Sequence, residues 1–185
     1  MSQEFAWSEH EVTVTMTNSV LAELEWEPGT GALTFKEVRY LLIRPETLAQ
    51  FQRAVEAEVG ADRAGELLYS GGFAGGQASG RKYKEALGLS DREAVEFMCR
   101  MGGELGWGQL RLVRWDTDAQ SLEVQVTSSP FAGAYAGESA SGVCHLLRGV
   151  FGGLGATVFG VPVESDELRC LAAGDSVCHI VVRKK

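Results

Sequence analysis

The most informative segment of the chain reads Glu167-Leu-Arg-Cys170-Leu-Ala-Ala-Gly174-Asp-Ser-Val-Cys178. The stretches around Leu168 and from 177 to 182 are typical of two strands, and the turn between them contains Gly174, which is suited to a positive φ. A hairpin of this kind would bring Cys170 and Cys178 close together. Glu167 precedes the pair, and Cys144 lies on an earlier segment. Together these residues offer three thiols and one carboxylate.

This set of side chains has two interpretations. Thiolates and a carboxylate are good ligands for zinc, which favours four tetrahedral donors, and four ligands drawn from a helix and a hairpin would form a closed, structural site. Free cysteines are also often small buried hydrophobic residues, so the spacing alone leaves both interpretations open. His145 and His179 adjoin the candidate ligands but should point elsewhere, His145 by about 100° on a helix and His179 to the opposite face of a strand.

Composition restricts the class of protein. With 185 residues, 45% hydrophobic and 23% charged, the chain fits one globular domain with a real core. No apolar run approaches the roughly 20 residues that span a bilayer, and the N-terminus shows no signal peptide. We therefore expect a cytoplasmic protein, in which clustered cysteines more often bind metal than form disulfides. The net charge of −8 argues against a nucleic-acid partner.

The first part of the chain predicts strands followed by a helix. Residues 11–16 and 21–26 alternate, and the turn at 28–31 before residues 32–35 predicts a hairpin. Residues 40–43 read as a short buried strand or as a lead-in to the following helix. A helix should follow Pro45 and stop at Gly60, with its apolar face formed by Leu48, Phe51, Val55 and Val59.

Glycine pairs interrupt the next predicted helix, over residues 62–83. Gly71-Gly72 and Gly75-Gly76 flank Phe73, and each glycine in a helix costs about 1 kcal/mol relative to alanine. Close approach of another helix or a ligand is one explanation, and a break between two helices is the other. The following helix begins with a capping box, Ser90 with Glu93, and Gly106-Trp-Gly108 ends it.

The C-terminal part predicts a second run of strands around one helix. Residues 109–115 and 121–128 should pair antiparallel, Ser128-Ser-Pro-Phe131 should break the second strand, and a helix over about 139–152 should carry Cys144 midway. Residues 156–163 are predicted as a strand before the final hairpin. The order of strands, helices, strands, helix and strands favours an α+β fold.

The residues quoted above carry a family resemblance. Ser128-Ser-Pro-Phe131-Ala, Val143-Cys144-His-Leu-Leu-Arg-Gly149, Gly160-Val-Pro-Val and the segment from Glu167 to Val181 are similar to the 4-vinyl reductase domain family. The resemblance covers about residues 42–182 and is densest over 125–182. The family occurs in bacteriochlorophyll biosynthesis proteins and in sensory domains of aromatic-responsive transcription activators. It shares a fold with subunits of the transport protein particle tethering complex.

The resemblance implies helices packed on a twisted antiparallel sheet, enclosing an apolar ligand cavity beside a zinc ion. Phenol-sensing members hold zinc with three cysteines and one glutamate, which implies Cys144, Glu167, Cys170 and Cys178 as the zinc ligands here. Candidates to line the cavity are large apolar residues, each of which could equally be ordinary core: Phe73, Phe97, Met101, Trp107, Phe131, Tyr135 and Phe159.

Two classes of function follow from the resemblance. The first is a non-catalytic sensor that binds a small hydrophobic or aromatic molecule and signals through homodimerisation or a separate effector protein. The second is reduction of a tetrapyrrole vinyl group, or delivery of that substrate in bacteriochlorophyll synthesis, although no G-x-G-x-x-G follows a strand to hold a dinucleotide. A scaffold that binds other proteins is a third option. Residues 1–41 are expected to form a strand-rich arm that dimerises or completes the sheet, and residues 42–185 the zinc-containing ligand-binding domain.

Overall fold

The structure, a computed structural model, describes residues 17–135, 139 and 141–185. The predicted strand over residues 11–16 lies outside this part of the chain. The helices are α1 (Ser19–Ala22), α2 (Pro45–Val59), α3 (Ala61–Leu87), α4 (Asp91–Glu104), α5 (Pro130–Gly133) and α6 (His145–Phe159). The strands are β1 (Glu25–Glu27), β2 (Ala32–Phe35), β3 (Val38–Tyr40), β4 (Gln109–Asp116), β5 (Ser121–Thr127), β6 (Val163–Arg169) and β7 (Cys178–Lys184).

The strands form two antiparallel sheets. The small sheet has the order β1-β2-β3, and the main sheet has the order β4-β5-β7-β6. Alternate residues of the central strands point into the core and are fully buried: Leu122, Val124 and Val126 on β5, and Cys178, Ile180 and Val182 on β7. The predicted α+β class, the β4–β5 pair and the final β6–β7 hairpin are therefore confirmed.

Helix α6 lies between α3 and the main sheet, and glycines allow both contacts. A Cβ atom built on Gly76 would lie 2.0 Å from the carbonyl oxygen of Val150, and one on Gly153 would lie 2.0 Å from that of Phe73. On the sheet side, a Cβ on Gly155 would lie 2.6 Å from Cγ1 of Val182. Close approach of another helix is thus the correct explanation for the glycine pairs. A break between two helices is wrong, because α3 is continuous.

The two members of each glycine pair on α3 lie in different surroundings, which shows which member the close contact with α6 requires. Gly72 and Gly76 are buried against α6, where a Cβ on Gly72 would lie 2.1 Å from the carbonyl oxygen of Leu146. Gly71 and Gly75 are exposed, and a Cβ on either would meet no atom within 4 Å. The backbone-to-backbone approach therefore requires only the second glycine of each pair.

Two predictions around α6 are wrong. The helix begins at His145, so Cys144 is its N-cap and does not lie midway along a helix starting at 139. Residues 156–159 continue the helix, and the strand begins only at Val163. Tertiary contact overrides local propensity here, because the glycines of α6 bury backbone against α3, and the Thr157 hydroxyl donates to the Gly153 carbonyl (3.0 Å).

The segment before α2 also differs from prediction. Leu21 lies in α1, where the Asn18 side chain accepts a hydrogen bond from the Leu21 amide (2.9 Å), so only Glu25 and Trp26 of the predicted strand lie in β1. Tyr40 ends β3, and of the two alternatives for residues 40–43 the buried strand is wrong, because Leu41 is 80% exposed and the residues that follow lead into α2. Over residues 25–40 the chain forms the separate small sheet.

Helix α2 has the predicted bounds but not the predicted buried face. It starts at Pro45 and ends before Gly60, whose φ is 83°. Phe51 is 58% exposed, and the buried residues of the helix are Ala49 and Gln52. The capping box of α4 is confirmed, with Ser90 and Glu93 making both reciprocal hydrogen bonds. Among the residues that the structure describes, no helix is long and apolar enough to cross a membrane.

The α3–α6 contact predicts that glycine-to-alanine substitutions at positions 75 and 76 have opposite effects on the free energy of unfolding. Gly76→Ala should lower the free energy of unfolding by about 3 kcal/mol, because the methyl group would overlap backbone that cannot move aside. Gly75→Ala should raise it by up to about 1 kcal/mol through helix propensity. Urea denaturation of both variants measures this difference. A Gly76→Ala variant as stable as wild type would contradict the close contact.

Candidate metal centre and apolar cavity

Four side chains from three places in the chain converge on one point. Cys144 caps α6, Glu167 lies near the end of β6, Cys170 follows that strand, and Cys178 begins β7. One ligand atom from each lies within 4.8 Å of the others. The Sγ atoms of Cys144 and Cys178 are 3.6 Å apart, and those of Cys178 and Cys170 are 4.0 Å apart. Three buried thiols and one carboxylate can therefore share a single ion.

The local structure of the hairpin explains this convergence. Residues three apart on a regular strand face opposite sides, but the pairing of β6 with β7 shifts register between Glu167 and Arg169. The turn is held by a hydrogen bond from the Cys170 amide to the Asp175 carboxylate (2.8 Å), and Gly174 has φ 94°. The Cys144 amide donates to Oε2 of Glu167 (2.9 Å) and joins the helix to the hairpin.

Neighbouring side chains that compete as metal ligands lie elsewhere. His179 pairs with Glu123 (2.9 Å), and Asp166 pairs with Arg183 (2.8 Å). Arg183 also holds Glu164 (2.7 Å). None of these groups joins the cluster of four candidate ligands among the described residues, and for His179 this agrees with the direction expected from strand periodicity.

The electrostatics of the cluster favour a bound cation. Burial, together with the adjacent Cys170, raises the pKa of the Glu167 carboxyl to about 8. Hydrogen bonds to Cys170 and Cys178, together with burial, raise the pKa of the Cys144 thiol. Oε1 of Glu167 is buried and has no hydrogen-bond partner in the described part of the chain. A buried acceptor left unsatisfied is costly, so the residues present fit a metal ion.

An apolar cavity of about 280 Å³ lies at the edge of the domain, between α1, the small sheet and the end of α4. The rings of Trp107 and Phe131 meet edge to face in its wall, with centroids 5.8 Å apart. The other lining residues are mostly aliphatic, and they come both from the N-terminal segment before α2 and from later parts of the chain: Leu21, Leu24, Leu33, Tyr40, Leu41, Leu42, Ile43, Pro45, Leu48, Glu104, Leu105, Gly106 and Pro130.

The start of α5 connects the cavity to the cysteine cluster. The hydroxyl of Ser129 caps α5 and lies 3.9 Å from Sγ of Cys144. Pro130 and Phe131, the next two residues, line the cavity. A single buried serine therefore lies between the residues that line the cavity and the Cys144 thiol.

Helix α2 makes a second connection. Leu48 lines the cavity, and on the same helix the Gln52 side chain donates to the carbonyl oxygen of Val143 (3.2 Å), next to Cys144. The Tyr135 hydroxyl donates to the carbonyl oxygen of Ala49 (3.2 Å), and Tyr135 is itself buried. Helix α2 thus makes hydrogen bonds to Tyr135 and to Val143, and Val143 directly precedes Cys144.

The structure distributes the candidate lining residues among several environments. Trp107 and Phe131 line the cavity. Met101 accepts a hydrogen bond from Tyr40 (3.5 Å), a lining residue. The others lie in different surroundings: Phe97 packs on Tyr83, Tyr135 packs on α2, Phe73 packs on Tyr69, and Phe159 stacks on Trp115.

Sequence reasoning misses most of the aliphatic wall. The sequence leaves Leu41 to Ile43 as part of a buried strand or as a lead-in to the helix that starts at Pro45, and neither interpretation assigns them to a cavity. Such a run between a short strand and a proline-started helix is a signal for an extended connection that offers apolar side chains to a cavity. Glu104 is also missed, because the sequence shows no local signal beyond its position at the end of a helix.

Two family models match adjacent parts of the chain. Residues 20–118 match the family described as activator of aromatic catabolism. Residues 122–184 match the model of the 4-vinyl reductase domain, which confirms the resemblance to that family. Among curated proteins, none matches this chain significantly.

Three solved structures share the fold. The phenol-responsive sensory domain of the transcription activator PoxR, solved with phenol, has a TM-score of 0.78 at 20% identity, over 89% of this chain and 86% of that one. Trafficking protein particle complex subunit 3 from Naegleria fowleri, covalently bound to palmitic acid, has a TM-score of 0.53 at 16% identity, over 76% and 95%. A vinyl-4-reductase family protein from Methanocaldococcus jannaschii has a TM-score of 0.53 at 13% identity, over 79% and 84%. The expected transport-protein-particle-like fold is thereby confirmed.

Because Gln52 donates a hydrogen bond to Val143, we expect alanine substitution of two glutamines of α2 to change the free energy of unfolding by different amounts. Gln52→Ala should lower the free energy of unfolding by about 1–3 kcal/mol, because the buried Val143 carbonyl loses its donor. Gln50→Ala, on the exposed face of the same helix, should change it by less than about 0.5 kcal/mol. Denaturant unfolding provides the measurement. Equal stabilities of the two variants would show that α2 is not attached in this way.

Proposed function

This chain belongs to the family described as activator of aromatic catabolism and carries a 4-vinyl reductase domain, and on that basis we propose that it is a sensor domain for a small hydrophobic or aromatic molecule. The observation that carries the proposal is the apolar cavity with an aromatic pair in its wall. Ligand sites are typically concave and mostly apolar, with few polar groups. The phenol bound by the PoxR domain of the same fold adds support.

The size of the cavity indicates the size of the ligand. An engineered cavity of about 150 Å³ binds benzene, so a volume of about 280 Å³ suits a molecule of one or two rings. A tetrapyrrole macrocycle is much larger than that. The cavity therefore favours a small-molecule sensor over the alternative of tetrapyrrole reduction or delivery.

The metal that we propose for the cluster is zinc, held by Cys144, Glu167, Cys170 and Cys178. Zinc accepts thiolate and carboxylate donors in a closed tetrahedral site, and such sites stabilise the fold. A bound zinc ion would supply the positive charge that the buried thiols and the unsatisfied Glu167 oxygen require. All four ligand positions would be occupied by protein, so its role is structural.

Signal transmission would use the two connections between the cavity and the cluster. A ligand that contacts Phe131 and Leu48 would favour one arrangement of α5 and α2, and both elements adjoin Cys144 through Ser129 and Gln52. A ligand shifts such an equilibrium only by its difference in affinity for the two states. We propose that the response passes to a second copy of the chain or to a separate effector protein.

Metal binding can be tested with two cysteine variants. Wild-type protein should contain about one zinc ion per chain, and Cys170→Ser should lose most of it and become less stable, because metal binding contributes free energy to folding. Cys99→Ser is the control, since Cys99 is buried in α4 and does not join the cluster. Elemental analysis and thermal unfolding measure both effects. Equal zinc content in wild type and Cys170→Ser would contradict the assignment.

Ligand binding can be tested with two phenylalanine variants and benzyl alcohol as the probe. Phe131→Ala should weaken binding about tenfold, because an aromatic contact contributes about 0.5–1.5 kcal/mol beyond its buried area. Phe159→Ala is the control, since Phe159 stacks on Trp115 and does not line the cavity. Titration calorimetry measures the affinities. A larger loss in the Phe159 variant would place the ligand elsewhere.

A further inference from the structure

Glu104 contributes the one charged side chain among the described residues that line the cavity. It is the last residue of α4, and the walls beside it are formed by Leu21, Leu105 and Trp107. In an otherwise apolar site a single ionisable group has a large influence on which ligands enter, because few other groups offset its charge.

The carboxylate is held in place by the start of α1. The Ser19 hydroxyl and the Val20 amide both donate to Oε2 of Glu104, each at 2.7 Å, and the Asn18 side chain donates to its carbonyl oxygen (2.7 Å). The hydrogen bond from Ser19 is the main cause that keeps the pKa of this carboxyl below its usual range. Glu104 is therefore ionised near neutral pH, and its position is fixed.

The surroundings of Glu104 give the cavity a negative potential. The aligned peptide dipoles of α4 place a partial negative charge at its C-terminal end, where Glu104 lies, and this adds to the charge of the carboxylate. The nearby cation is Arg100, which also lowers the pKa of Glu104. Its guanidinium lies over the ring of Phe97 (5.2 Å to the centroid), is exposed and does not line the cavity. It therefore offsets the negative potential only in part.

A carboxylate in this position can also accept hydrogen bonds from a ligand. An ionised carboxyl group has about four lone-pair positions, and the hydrogen bonds from the Ser19 hydroxyl and the Val20 amide both reach Oε2. A hydroxyl group on a ligand would donate to another position, whereas a ligand carboxylate would be repelled and would lose its own hydration in an apolar site.

We propose that Glu104 determines the specificity of the cavity, which accepts uncharged molecules bearing a hydrogen-bond donor and excludes carboxylates. This inference rests on the proposed function, since it assumes that the ligand occupies this cavity. It goes further by assigning the chemical class of the ligand to one residue. It also distinguishes between an aromatic alcohol and the acid formed by oxidation of that alcohol.

The test compares benzyl alcohol with benzoate, which have nearly the same shape, in full-length wild type and Glu104→Gln. The glutamine side-chain oxygen can still accept hydrogen bonds from Ser19 and Val20, so α1 should remain in place while the charge is removed. Wild type should prefer benzyl alcohol, and the variant should reduce that preference roughly tenfold, the effect of one like charge a few ångströms away. Glu96→Gln is the matched control, because it removes the same charge from an exposed position of α4.

The possible results distinguish the role of Glu104 from the proposed sensor function. If wild type binds benzyl alcohol and the preference is the same in Glu104→Gln, the role of Glu104 is overturned while the sensor function stands. If wild type binds neither probe, the proposed ligand site fails, and the specificity claim fails with it. If Glu104→Gln does not fold, the preference of wild type is measured in about 0.01 M and about 1 M salt. Screening should then reduce it, and a preference independent of salt would overturn the role of Glu104.

Discussion

The backbone contact between α3 and α6 is the constraint on which the other features depend. The Cβ positions of Gly72, Gly76, Gly149 and Gly153 would each fall within 2.2 Å of a carbonyl oxygen on the opposite helix. Any side chain there would push the helices apart. The contact fixes α6 against the main sheet and therefore fixes Cys144 at its N-terminus, beside the hairpin that carries the other three candidate ligands. The position of Cys144 in the cysteine cluster thus depends on the glycine contact, which involves Gly149 and Gly153 of the same helix.

The cysteine cluster and the cavity form one connected region. Ser129 touches Cys144, and the residues after it line the cavity, while Gln52 binds the segment before Cys144 and Leu48 on the same helix lines the cavity wall. A structural metal on one side of this region would give a rigid reference for any movement on the other. That arrangement suits a sensor, in which ligand contact must be converted into a defined displacement.

Local sequence predicts the features that depend on short-range chemistry. Three such features are the capping box of α4, the turn at Gly174 and the spacing of Cys170 and Cys178. They can be predicted because residues close in the sequence determine them. The family resemblance favours the metal-ligand interpretation of Cys144, Glu167, Cys170 and Cys178 over the alternative of buried hydrophobic cysteines. The end of α6 is predicted wrongly because its helical state depends on glycine packing against a distant helix. The cavity wall is mostly missed because segments remote in sequence, such as those of Leu21, Trp107 and Phe131, meet only in the folded chain.

The proposed sensor is a metal-anchored domain that holds a small uncharged ligand beside Glu104. A crystal structure with 4-bromobenzyl alcohol, using anomalous data at the zinc and bromine edges, would locate the metal and the ligand together. We predict a zinc peak among Cys144, Glu167, Cys170 and Cys178, a bromine peak between Trp107 and Phe131, and the ligand hydroxyl within hydrogen-bond distance of Glu104. A protein without the zinc peak, or with bromine only outside this cavity, would contradict it.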